Sequence, residues 1–185
     1  MKRDEAAVRV QGMNVFRLVA SLAVMVCASA VADIAERPQP GHGLPMADEV
    51  VVHKAERRLE LLEGGEVFRS FPIALGGAPE GHKQREGDQR TPEGRYVLDW
   101  RNPNSAFFLA LRISYPNEQD MRRARQRGVN PGNNIMIHGL PNDLRYPSRQ
   151  YLQGDWTDGC IAVSNSAMID IWLAVPDGTP ITILP

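Results

Sequence analysis

Cysteine is nearly absent from this chain. Cys27 and Cys160 are the two in 185 residues, too few for the disulfide framework of a small secreted scaffold. The four histidines fall in no HxxxH pattern and the cysteines in no CxxC, so no metal site is expected. An excess of either charge is missing as well. Lys and Arg number 21 against 22 Asp and Glu, a net charge of −1, which excludes a basic nucleic-acid-binding signature. Long hydrophobic runs are also lacking: the one apolar stretch, Leu18 to Ala30, is short for a bilayer span, which excludes a polytopic membrane protein. What remains is 43% hydrophobic and 23% charged, the mixture of a globular domain. Sixteen glycines and fourteen prolines favour strands joined by turns. The length suits one domain with a short extra segment.

That extra segment reads as an export signal. Arg9 and Arg17 precede the apolar run, and Ala30 and Ala32 supply the small residues of a cleavage site, so residues 1–32 are expected to be a signal peptide cut after Ala32. Asp4 and Glu5 are unusual so early in a signal, and Met13 offers a better start. Val26 before Cys27 argues against lipidation. Without residues 1–32 the chain has 17 basic and 20 acidic residues and keeps one cysteine, Cys160. In an oxidising compartment cysteines normally pair, so a lone thiol there is a liability, an intermolecular link or a working group.

Residues 33–47 are rich in Pro and Gly without periodicity and read as a linker. A domain over 48–185 follows. Val50 to Val52 suits a strand, and two strand-like runs around Gly64-Gly65 suit a hairpin. A polar loop spans Gly76 to Glu93, and Arg95 to Trp100 and Phe107 to Ile113 read as strands. Asn117 is placed to cap a helix whose arginines, Arg122 to Arg127, crowd its C-terminal end before Gly128. These arginines read as a solvated face. Ile135 to Ile137 runs as a short strand into His138. A second helix opens near Ser164 with Met168, Ile171, Trp172 and Val175 on one face, and Thr179 to Leu184 forms a last strand. The fold class is therefore mainly β (α+β), with two short helices.

Cys160 follows Gly159, a residue that lets the backbone turn sharply beneath a bound carbonyl. Amides aimed at a developing oxyanion are worth about 2.7–4 kcal/mol each. A free thiol titrates near about 8.5 and needs a neighbouring base at neutral pH. His138, at the end of a strand and before Gly139, is the natural partner, although 22 residues separate the two in sequence. A buried inert thiol and a packed core histidine are the alternatives.

Ile137-His138-Gly139, Thr157-Asp158-Gly159-Cys160-Ile161, a Ser/Asn-capped helix and Pro176-Asp177-Gly178-Thr179-Pro180-Ile181 together resemble the L,D-transpeptidase catalytic domain of the YkuD type. Ile73 to Gly77 and Thr91-Pro92-Glu93-Gly94 add to the resemblance, which covers about Asp48 to Pro185. It implies a β-sandwich or barrel and an exported bacterial enzyme of the periplasm or cell envelope, acting on peptidoglycan stem peptides. No cofactor, nucleic acid or stable membrane insertion is implied. Cys160 would attack the L-centre of diaminopimelate at the third position, releasing D-Ala and forming a thioester that an amine resolves. His138 would be the base, held by the carbonyl of Gly139, with amides near Gly159 and Cys160 as the oxyanion hole. Trp156, Thr157, Asp158 and Gly159 are the substrate-binding candidates.

Two positions depart from the family pattern. Asp158 stands where the family usually has His, and Ala162 where an arginine often follows. A carboxylate beside the thiol disfavours thiolate but can select an ammonium group. Hydrolysis of the same thioester, as a carboxypeptidase or as an amidase cleaving a peptidoglycan–protein link, therefore stays open. The loop from Gly139 to Trp156 reads as a lid carrying Tyr146, Arg149 and Tyr151, and Arg85, Asp88 and Arg90 as candidates to line the substrate groove.

Overall fold

The computed structural model describes residues 45–185. The expected export signal of residues 1–32, Cys27 and most of the expected linker lie outside the described residues. The first anchored residue is Ala47, which is buried and donates its N–H to the carbonyl of Ala174 at 2.7 Å.

Three strands open the domain: β1 (Glu49–His53), β2 (Arg58–Glu63) and β3 (Glu66–Pro72). Gly64 and Gly65 both have positive φ, 61° and 84°. Two-residue hairpin turns of this type require that, because their twist matches the strands they join. After the long loop come β4 (Gly94–Ser105), β5 (Phe108–Ile113), helix α1 (Glu118–Arg127) and β6 (Met136–His138). A 3-10 turn (Ser148–Leu152), β7 (Ile161–Ala162), α2 (Asn165–Ala174) and β8 (Thr179–Leu184) complete the chain. β4 runs five residues beyond the expected Trp100. Register shifts near Trp100 and between Asn102 and Ser105 let it continue past Pro103 as a bulged ribbon with β5.

The eight strands form one sheet in the order β3-β2-β1-β8-β4-β5-β6-β7. The last strand is thus inserted in the middle, parallel to β1 and antiparallel to β4. The sheet curls until its ends meet. Just past β3, Ala74 exchanges reciprocal hydrogen bonds with Ala162 of β7, at 2.9 and 2.8 Å. The result is a mainly β half-barrel with two helices. Its interior is filled by alternate residues such as Val50, Val52, Ile137, Ile161, Ile181 and Ile183, packed against Met168, Ile171 and Val175 of the α2 segment. Trp172, expected on that face, stays at the rim with the Arg101 guanidinium 4.9 Å from its ring centre.

Helix α1 starts at a capping box in which Asn117 and Asp120 satisfy one another's backbone N–H. Its arginines are exposed, and Arg122 pairs with Glu118 at 3.2 Å. Among the described residues no helix is long and apolar enough to cross a membrane.

Candidate active site

The β6–β7 edge sets the geometry of the site. The two strands are parallel, with Ile137 beside Ile161 and His138 beside Ala162. Ile137 and Ile161 both point into the core. Side chains alternate along a strand, so Met136, His138, Cys160 and Ala162 share the opposite face. Cys160 sits level with Met136, one step along from His138, a diagonal within reach of side chains. Both line one cleft of about 310 Å³, with Asn102, Phe107, Trp156 and Asp158 among its walls. Two residues far apart in the chain converge because two short strands pair in one register.

His138 is 4% exposed. Its Nδ1–H donates to the carbonyl of Gly139 at 2.7 Å, which leaves Nε2 unprotonated in the neutral ring. Every buried side-chain nitrogen and oxygen of the described residues has a partner. Nε2 has none, and so it meets the cleft. The imidazole packs against both Phe107 and Trp156, with ring centres 4.6 and 5.9 Å away. Burial among these rings lowers its pKa, against the opposing pull of the Gly139 carbonyl.

The Cys160 sulfur accepts the N–H of Met136 at 3.4 Å and faces the Asn134 carbonyl at 3.6 Å. Burial pushes the thiol pKa up and Asp158 adds to the rise, while the Met136 amide and the Lys83 ammonium pull it down. Both shifts favour the neutral forms, thiol and imidazole, and a neutral His138 is suited to act as a base.

The turn before the thiol is built from glycine and a hydroxyl. A Cβ on Gly159 would lie 2.5 Å from the Arg90 carbonyl oxygen, and its φ is +123°. No other residue fits there without strain. Thr157 is buried, and its hydroxyl donates to the Cys160 carbonyl at 2.7 Å while accepting the Gly159 N–H at 3.1 Å. Thr157 thus lines the cleft with its hydroxyl already engaged, and the Gly159 amide is closed within the turn. The amides of Asp158 and Cys160 carry no protein acceptor among the described residues. Asp158 is exposed at the cleft wall and Trp156 is half-buried, its Nε1 donating to the Tyr151 carbonyl at 2.8 Å.

Several supports left no signal in the sequence. Asp155 receives a bidentate contact from Arg57 and the Leu75 N–H at 2.8 Å, and the Leu75 carbonyl then takes the N–H of Trp156 and Thr157. Asn165 accepts the Leu140 N–H at 2.8 Å and so steadies the segment after His138. Lys54 is buried and donates to Gly81 O, Thr91 O and Glu93 Oε1, which explains the Thr91-Pro92-Glu93-Gly94 run as a brace. Arg85, Asp88 and Arg90 do not line the cleft, contrary to expectation. Asp88 instead gathers the Lys83 ammonium and the N–H groups of Gln84, Arg85 and Arg90, which folds the loop back on itself. Among the described residues no cluster of three or more His, Cys, Asp or Glu is placed to hold a metal.

The family model for the YkuD L,D-transpeptidase catalytic domain matches residues 47–183. The chain belongs to this family. It is 36% identical over 97 residues to the L,D-transpeptidase candidate YafK of Escherichia coli (strain K12), a match covering 49% of this chain and 37% of YafK. The helical cell shape determining protein Pgp2 of Campylobacter jejuni superposes with a TM-score of 0.57 at 28% identity, over 73% of this chain and 46% of Pgp2. Bd1075 of Bdellovibrio bacteriovorus gives 0.51 at 25%, over 76% and 51%. The chain spans about a third of the curated relative and half of the solved ones.

Proposed function

We propose that this YkuD domain is a cysteine-dependent peptidoglycan L,D-transpeptidase, working in cell-wall remodelling in the bacterial envelope. The observation that carries the reading is the free Nε2 of His138, fixed by the Gly139 carbonyl in the cleft that Cys160 lines. Nε2 takes the thiol proton as sulfur attacks the carbonyl of the L-centre of diaminopimelate at the third position. The proton passes to the departing amine, the C–N bond breaks, and D-Ala leaves while the thioester forms. An acceptor amine then attacks the thioester, loses its proton to His138, and the thiol is restored. A base so placed is worth about 10²–10⁴ in rate. The Cys160 amide is left to meet the oxyanion, a contact of about 2.7–4 kcal/mol. Thr157 and Gly159 hold the nucleophile in place, and Asp158 and Trp156 face the substrate.

Asp158 also supports a second outcome on the same thioester. An exposed carboxylate on the cleft wall can orient water as the acceptor. That would make the protein a carboxypeptidase, or an amidase acting on a peptidoglycan–protein link. Intact-protein mass after exposure to a disaccharide tetrapeptide tests the shared step: the wild type gains the acyl mass and Cys160→Ala does not. Acylation of that variant would overturn the reading. Muropeptide masses separate the outcomes, with 3–3 crosslinks or exchanged D-amino acids against trimmed or released products.

A further inference from the structure

A cavity beside the catalytic cleft has no role in the steps above. It measures about 660 Å³ and lies under the 139–156 loop, within the 300–1,000 Å³ typical of small-molecule sites. Phe107 and Trp156 line both spaces, so the two are neighbours across one aromatic wall. Tyr151 stands edge-on to Trp156 at 5.5 Å, and Tyr146 lies 6.2 Å beyond Tyr151. The row runs from the half-buried Trp156 and Tyr151 out to an exposed end. Tyr146 is 63% exposed, more than any other large apolar side chain among the described residues.

The polar groups of the cavity are of a particular kind. Asp143, Arg145 and Gln150 line it with exposed side chains that make no hydrogen bond or ion pair to the protein among the described residues. Asp155 also lines the cavity but is paired with Arg57, so the unengaged groups are one anion, one cation and one amide, with no net charge preference. They offer donors and acceptors at the edge of flat apolar faces. A ligand matching that pattern has an apolar face, a rim of hydroxyl and amide groups and no required charge. A pyranose ring bearing an N-acetyl group has that chemistry. A peptide acceptor with a free ammonium would instead favour an anionic lining.

We infer that this aromatic cavity binds the N-acetylated disaccharide of the donor muropeptide while its stem enters the cleft of Cys160. The inference rests on the transpeptidase reading for the identity of the donor. Two residues join the sugar to the third position of the stem, an extended reach of about 7 Å, which suits a cavity sharing the Phe107–Trp156 wall with the cleft. The sugar then supplies binding remote from the reacting carbonyl, and orients it.

The test compares acylation rates of Cys160 by free tetrapeptide and by disaccharide tetrapeptide, read by intact mass. The wild type should prefer the glycosylated donor by about tenfold. Tyr146→Ala, an exposed change checked for folding by its melting curve, should cut that ratio to below about threefold. Equal rates in the wild type, a ratio that survives in Tyr146→Ala, or a variant defect that tracks the acceptor peptide would each overturn it. Should neither donor acylate Cys160, the catalytic reading has failed and sugar binding is judged alone. The disaccharide titrated into the full protein should then change tryptophan fluorescence in the wild type and not in Tyr146→Ala. No change in the wild type would overturn the inference.

Discussion

Two histidines, His138 buried and His82 half-buried, teach what separates an open imidazole from a saturated one. His138 has one ring nitrogen bonded and the other open to a cleft shared with a thiol. His82 has both engaged: Nδ1 accepts the Glu93 N–H at 3.0 Å and Nε2 reaches Asp120 at the same distance. Asp120 is buried and also takes the Tyr96 hydroxyl at 2.9 Å and the Asn117 N–H at 3.1 Å. On paper the His82–Asp120 pair has the charge-relay look that His138 lacks. It has no free valence and no nucleophile, so its chemistry is exhausted in joining the long loop to the start of α1. The β6–β7 edge is left with an open imidazole nitrogen and a sulfur lining one cleft, beside amides without a protein acceptor among the described residues.

The largest effect that sharpens this contrast is expected at His138. His138→Gln should slow acylation of Cys160 by about 10²–10⁴, measured by mass against time, without abolishing the fold. The wild-type acid limb of the rate should fall below about pH 6.5, because burial lowers the pKa of His138. That limb should vanish in the variant, and its persistence would show another group to be the base.

Next comes the turn beneath the thiol. Gly159→Ala places a methyl group against the Arg90 carbonyl in a left-handed conformation, costing about 1–3 kcal/mol. Thermal unfolding should report the loss, and acylation should fall with it as Cys160 shifts.

A structural histidine site should behave in the opposite way. Asp120→Asn weakens the contacts to His82 and Tyr96 and should lower stability by about 1–3 kcal/mol. Alkylation of Cys160 by iodoacetamide should keep its wild-type rate. A parallel fall in thiol reactivity would break the distinction between the two regions.

The smallest effect is expected from pH. Burial alone would raise the pKa of Asp88, but the Lys83 ammonium and three backbone amides hold it at about 2. Hydrogen bonds from His82, Asn117 and Tyr96 likewise outweigh burial and lower that of Asp120. A carboxylate with a depressed folded pKa stabilises fully above its unfolded value, near about 3.9, and that contribution is lost as pH falls through the folded value. Melting temperature should therefore drop between about pH 5 and 2. Asp88→Asn should flatten the profile while leaving the neutral-pH acylation profile in place.

Much of the architecture was readable in advance. The Gly64-Gly65 hairpin, the Asn117 cap and the apolar face of α2 are written in local patterns, where a turn or a cap acts over four residues or fewer. Cys160 and His138 stood out for a similar reason: a Gly-Cys pair and a strand-end His-Gly are local signals. The two-residue β7 escaped notice because Ile161 and Ala162 have too little length to show alternation. The brace around Lys54 escaped because a buried lysine looks like any other in sequence. Arg85, Asp88 and Arg90 differ from expectation because charge beside a Thr-Pro run suggests a groove. Asp88 turned inward to satisfy backbone amides that the loop would otherwise bury unpaired.

By itself the sequence determined the elements and the chemical types available, since helix caps, hairpin turns and strand alternation follow from residues close in the chain. Only the tertiary structure decided which imidazole keeps a free nitrogen, which carboxylate faces solvent and which aromatic rings stay uncovered. Those outcomes depend on strand register and on where a curled sheet closes, and both are fixed by contacts among residues far apart in the chain.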